Sequence, residues 1–227
     1  MLAVFVNAVV VLLGGVLGTA FGRFLNEKLT KAAMAGIALC VVYIGISGAM
    51  KGQNILITIA AMATGAILGT LADIDGAVTH LGDKAQELTR DRFGKVAEGF
   101  VTASLLFCVG AMAVTGSLDA GLKGDYATLF AKSALDFVAA IMLASTLGLG
   151  VALSCVMVFL YQGAIALLAQ VIAPVLSPFM VAEMTAAGSL IIVALGLNML
   201  EVTKIKVADL LPAILIAPVI AFVVELF

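Results

Sequence analysis

The sequence predicts an all-α, polytopic bundle of about eight transmembrane helices, forming one domain over residues 1–227. Three observations lead there. Of the 227 residues, 63% are apolar and 11% charged, whereas soluble domains carry about 25% charged residues; the mean hydropathy is +1.24. A hydrocarbon core about 30 Å thick needs roughly 20 apolar residues per helix, and charge-free runs of that length recur along the chain. The basic residues between those runs gather on one side of the implied membrane. A closed β-barrel also satisfies its backbone inside lipid. It would need alternating segments of about ten residues, which this sequence lacks.

The first run, residues 2–22, has no basic leading region and is long and uniformly apolar, so it reads as a retained span rather than a cleaved signal. Residues 32–50 and 52–72 follow as spans two and three. The polar insert 73–95 places Ile74, Val78, Leu81, Ala85 and Leu88 at helical spacing with charge on the opposite face. That pattern predicts a cytoplasmic amphipathic helix lying along the interface, or a plain linker. His80, the single histidine, is expected to be solvated there. Residues 99–118 form span four. The stretch 126–182 carries only Lys132 and Asp136 as charges and is long enough for spans five and six, parted at Gly148-Leu149-Gly150. Residues 184–200 and 210–224 complete the set. Pro212 falls in the first turn of span eight, where proline is tolerated. Pro218 lies mid-span and predicts a kink with a freed carbonyl.

Eight spans put Arg23, Lys28, Lys31, Lys84, Arg90, Arg92, Lys95, Lys204 and Lys206 on one side and only Lys51 and Lys123 on the other. This positive-inside bias predicts a multi-pass protein of the bacterial cytoplasmic membrane with both termini outside. The ladders Gly14-x3-Gly18-x3-Gly22 and Gly65-x3-Gly69 predict close helix packing, within the chain or across a homodimer. Cys40, Cys108 and Cys155 all fall inside spans and read as small packing residues. Shifting the chain by 68 residues sets Ala35, Cys40, Val41 and Gly48 on Ala103, Cys108, Val109 and Gly116. Residues 186–198 echo residues 35–47 more weakly, from a span that runs the opposite way. These matches point to internal repeats, one of them inverted, an arrangement typical of secondary transporters.

Lys132 and Asp136 are the outstanding polar pair. Four apart, they share one helix face, with Asp136 near mid-span; Asp125 and Thr128 continue the stripe outward. A charge at the bilayer centre costs about 2.5–3.5 kcal/mol on insertion scales, so such residues face the bundle interior and mark ion or proton paths, or else neutralise each other as a structural pair. Gln162, at mid-depth in span six, needs hydrogen-bond partners, and the Lys132–Asp136 helix can supply them; Gly163 would let the helices approach. Glu98, Glu183 and Asn198, near span ends, complete the ion- or solute-binding candidates, although near-terminal carboxylates also simply reach water. Asn7 lies inside span one.

Several chemistries lack their residues. The net charge of −2 offers no basic face for nucleic acid. Zinc, copper or haem would have no histidine ligand within a span. No phosphate-binding glycine loop or Ser-His-Asp set is present, so neither an enzyme nor a bound cofactor is expected. Oxygen donors and one lysine in a lipid bilayer suit protons, sodium, hard divalent cations or small polar solutes. The reading that follows is a secondary transporter or exporter of a small cation or polar solute. Its alternatives are a passive ion channel, or a non-transporting scaffold or sensor acting through the 73–95 helix.

The block EGFVTASLLFCVGAMAVTGSL at 98–118, with AKSALD at 131–136, YQG at 161–163 and KIKVADLLP at 204–212, resembles the YdfK/YqgA family of bacterial integral membrane proteins. The likeness covers the whole chain. It implies a multi-pass membrane protein and carries over no binding or catalytic residue. Ser133-x-x-Asp136 followed by small residues is also similar to the aspartate-bearing spans of small manganese exporters, which would imply a cation substrate.

Overall fold

A computed structural model of the protein describes residues 1–22, 24, 27–77, 96–109 and 111–226. Among the described residues all regular structure is helical: α1 (Leu2–Gly22), α2 (Glu27–Ala49), α3 (Ile55–Leu71), α4 (Val96–Cys108), α5 (Ala111–Leu122), α6 (Ala127–Leu147), α7 (Gly150–Leu167), the single turn α8 (Ala169–Ile172), α9 (Pro178–Met199), a 3-10 turn (Val207–Leu210) and α10 (Pro212–Glu225). Six of these segments are long and apolar enough to cross a membrane, and α4 with α5 makes a seventh when counted as one bent span. The eighth predicted span is α3, apolar but only 17 residues long. The polar insert beyond residue 77, with His80, lies outside the described residues.

Two differences from the sequence reading bear on the site. Span four is broken: its halves, Val96–Cys108 and Met112–Leu122, are bent by 60° from one another. Span seven starts earlier than residue 184, because Ser177 caps it, its Oγ accepting from the Met180 amide at 3.1 Å, and Pro178 opens the first turn. That cap moves Glu183 from a span boundary to a fully buried position inside α9. The break at Gly148 stands as predicted, with φ at +76°.

Glycine seams set the packing. On α1, a Cβ at Gly14 would lie 2.8 Å from the Phe137 carbonyl oxygen, and one at Gly18 2.8 Å from the Ala144 Cβ. Gly22 rests on the Ser145 carbonyl. Gly65 and Gly69 meet Ala213 and Asp209 in the same manner. The ladders are therefore filled within the chain. They also give helix directions: α1 runs parallel to α6, whereas α3 runs antiparallel to α10. Gly45 opposite Val193 and Gly196 opposite Val42 make α2 and α9 antiparallel, and Gly150 at Val96 with Gly121 at Ala166 makes α4–α5 parallel to α7. Each relation is the one that eight alternating segments require.

Of α9's apolar window 78% is buried, against 22–44% for the other five long spans, so α9 is the central helix. Outward faces carry exposed Phe5, Leu13, Leu39, Leu160 and Leu215, a surface suited to lipid. Buried Ser117, Ser133 and Thr185 each donate to the carbonyl four residues back, which satisfies them without a second helix.

Candidate functional site

Asp136 is the tenth of the 21 residues of α6, and Lys132 lies one turn before it. The helical period brings Lys132 Nζ to 2.5 Å from Asp136 Oδ2, with side-chain exposures of 8% and 9%. Two further helices converge there. Asn7 of α1 donates from Nδ2 to Asp136 Oδ2 at 3.1 Å and to Gln162 Oε1 of α7 at 3.2 Å. Both amides are fully buried. Asn7 falls on the Gly14–Gly18–Gly22 face of α1, so the seam that presses α1 onto α6 also delivers Asn7 to Asp136. The approach of α1 to α7 comes from Gly15 against Ala152; a Cβ added at Gly163 would make only ordinary contact, 3.9 Å from Met1 Cε and Val4 Cγ1. Asn7 Oδ1 and Gln162 Nε2 are left without a partner. One is an acceptor and the other a donor, and an unpaired buried polar atom costs about 1–3 kcal/mol.

The pair forms part of the wall of a cavity of about 610 Å³ bounded by α2, the α4–α5 break, α6 and α9, where Tyr43, Ser47, Lys51, Thr185 and Ser189 join Lys132 and Asp136. The Lys132 ammonium also stands 5.9 Å from the Phe107 ring centre. A second cavity of about 460 Å³ shares Lys51 and Thr185 and continues past Asp119, which pairs with Lys123 at 2.8 Å. A third, of about 280 Å³, opens at the other end of α9 and is lined by Asp75, Glu98 and Asn198. The broken span borders all three: α4 the third, the break the first, α5 the second.

The remaining predicted residues stand apart from Asp136. Glu183 Oε1 accepts from the amides of Gln53 and Asn54 at 2.6 and 2.8 Å, and Thr58 Oγ1 donates to Oε2 at 3.4 Å. This carboxylate holds the N-terminus of α3, where negative charge is favoured. Asn198 organises the 200–206 loop, accepting from Thr203 Oγ1 and the Ile205 amide and donating to the Ile205 carbonyl. Asp209, not singled out in the sequence, holds the other end of α3: it is buried, accepts from the Asp75 amide at 2.9 Å and receives the Thr70 hydroxyl at 3.4 Å. The short α3 is thus held at both ends by carboxylates from α9 and from the turn before α10. The three cysteines are free; Cys40 is exposed and the other two half-buried.

A family model described as a protein of unknown function (DUF554) matches residues 2–222. The chain is similar to the uncharacterized membrane protein YdfK of Bacillus subtilis (strain 168), 31% identical over 225 residues, which covers 97% of this chain and 96% of that protein. It is likewise similar to the uncharacterized protein YqgA of Escherichia coli (strain K12), 33% identical over 218 residues, with 94% and 93% covered. No solved structure matches it. Apolar helices of spanning length, a lipid-suited surface and a family match over nearly the whole chain lead to one conclusion: the chain is a multi-pass membrane protein of the DUF554 family.

Proposed function

We propose that the protein is a secondary transporter, in which Asp136 takes the proton or small cation that drives movement of a small ion or polar solute. The observation that carries this reading is the Asn7–Asp136–Lys132–Gln162 cluster at the edge of a cavity beside a broken span. A structural ion pair needs only its two members, and apolar replacement of such a pair is often neutral or stabilising. Here the pair recruits amides from two other helices, leaves two of their atoms unpaired, and borders open space. Discontinuous helices near the midplane are where transporters place their sites. Occupancy of Asp136 biases the bundle between an outward and an inward arrangement to the extent that the two states bind the ion differently.

The test is gradient-driven flux in proteoliposomes across protons, sodium and divalent cations. Wild type is expected to show saturable flux coupled to one of these gradients, and Asp136→Asn to fall to the level of empty liposomes while remaining folded. Equal flux in both would refute a coupling role for Asp136; ohmic conductance without saturation would make the protein a channel. The charge asymmetry supports a bacterial cytoplasmic membrane with both termini outside. A reporter fused after residue 227 is then expected to report an extracytoplasmic end, and a cytoplasmic signal would overturn that orientation.

A further inference from the structure

We infer that the 610 Å³ cavity binds an organic monoanion with a short apolar chain, typified by a carboxylate, and that this anion competes with Asp136 for Lys132. The inference rests on the transport reading only for what happens after binding.

Charge sets the ligand's head. The lining holds two ammonium groups, Lys51 and Lys132, against one carboxylate, Asp136, which Lys132 already engages. Among the described residues Lys51 has no ion pair. Ser47 and Ser189 add hydroxyls. A calcium ion takes six to eight oxygen ligands at about 2.3–2.6 Å, a set that a wall with one occupied carboxylate and two lysines does not supply. Shape sets the body. The volume lies within the roughly 300–1,000 Å³ of small-molecule sites, and most of the remaining lining is apolar, with Leu106, Phe107 and Met112 on one side. On the other, Ile44, Leu135 and Val138 are exposed on α2 and α6, so the cavity opens toward lipid there and an apolar chain has room to extend.

Binding then moves one proton. The incoming carboxylate takes over Lys132, and Asp136 loses its counter-ion while staying among the neutral amides Asn7 and Gln162. An unpaired buried carboxylate is costly, so Asp136 takes a proton from solution. The Lys132–Asp136 pair, an anion and a proton become a Lys132–anion pair and a neutral Asp136, and the step adds no net charge. The titratable or charged groups around Asp136 are Lys132 on its own helix, Cys108 on α4, Tyr161 of α7 beside that thiol, and Tyr43 and Lys51 from the α2 side of the cavity; α1 and α7 also contribute the amides Asn7 and Gln162.

The experiment uses the full chain in lipid nanodiscs, with no gradient, titrated with butyrate, hexanoate and octanoate and with hexylammonium and hexanol as controls. Calorimetry and proton uptake from a weakly buffered medium are the readouts. The carboxylates are expected to bind with affinity rising about three- to fourfold per methylene, and about one proton is taken up per anion. Lys51→Met is expected to weaken hexanoate about tenfold. Asp136→Asn binds hexanoate more tightly and without proton uptake, because Lys132 is then uncontested. In Lys132→Met/Asp136→Leu, which removes the buried pair together, binding is lost. Hexylammonium binding as well as hexanoate, affinity indifferent to chain length, absence of carboxylate binding, or wild-type affinity in Lys51→Met would each overturn the inference. Because no gradient is applied, these results are separate from the flux test: carboxylate binding without flux would sink transport alone, and flux of another solute without carboxylate binding would sink this inference alone.

Discussion

Lys132→Met is expected to destabilise the folded protein by about 3–5 kcal/mol, the usual cost of stranding one member of a buried ion pair. The single variant leaves the Asp136 carboxylate in a site with about 9% side-chain exposure and only the Asn7 amide to donate to it. Lys132→Met/Asp136→Leu removes both charges and is expected to recover most of that loss. The coupling read from the double-mutant cycle should then be several kcal/mol, above the ordinary 0.5–3 range for neighbours. Reversible unfolding in bicelles measures all three variants. A double variant as unstable as Lys132→Met would mean that the lysine acts through packing on Phe107 rather than through the carboxylate. A stable double variant that carries no flux would separate the pair's stabilising part from its transport part.

Gly18→Val should be comparably damaging by a different route. Its Cβ would overlap the Ile141 carbonyl and the Ala144 Cβ, so α1 must lift from α6, and forced overpacking costs about 1–3 kcal/mol or more. The damage reaches the site, because Asn7 shares that face of α1 and contacts Asp136 only while the seam is closed. Gly36→Ala is the control. Nothing stands within 4 Å of the Cβ it would add, and alanine gains about 0.8–1.0 kcal/mol of helix propensity over glycine. Melting temperatures of the two variants in one detergent should move in opposite directions. If Gly18→Val melted like wild type, the α1–α6 approach would not be what assembles the site.

The local features of the site were readable from sequence. Lys132 and Asp136 meet because helical period alone puts residues four apart on one face, and that holds wherever the helix is placed. The glycine ladders marked the faces that pack, and the packing they make fits eight alternating segments. Gln162 was recognisable as a buried amide in want of a partner. Asn7, which joins it to Asp136, was visible as a polar residue inside span one but carried no sign of which helix it would meet. Glu183 shows the converse. Its place at the edge of an apolar run resembled a near-terminal carboxylate, yet the Ser177 cap starts α9 early enough to bury it against the amides before α3.

The sequence by itself determined that this is a helical membrane protein of about eight alternating segments, and where a buried charge pair lies. These follow from hydropathy, run length and helical period, which are properties of each segment alone. Only the tertiary structure decided that span four breaks, that two carboxylates hold α3 by its ends, that Asn7 of α1 joins Asp136 to Gln162 of α7, and that a cavity stands beside it. The physical reason is that lipid tails are as apolar as a protein core, so no hydrophobic force distinguishes an outward face from an inward one. Partner choice among such helices falls to small-residue fit and a few hydrogen bonds, which exist only once the helices are together.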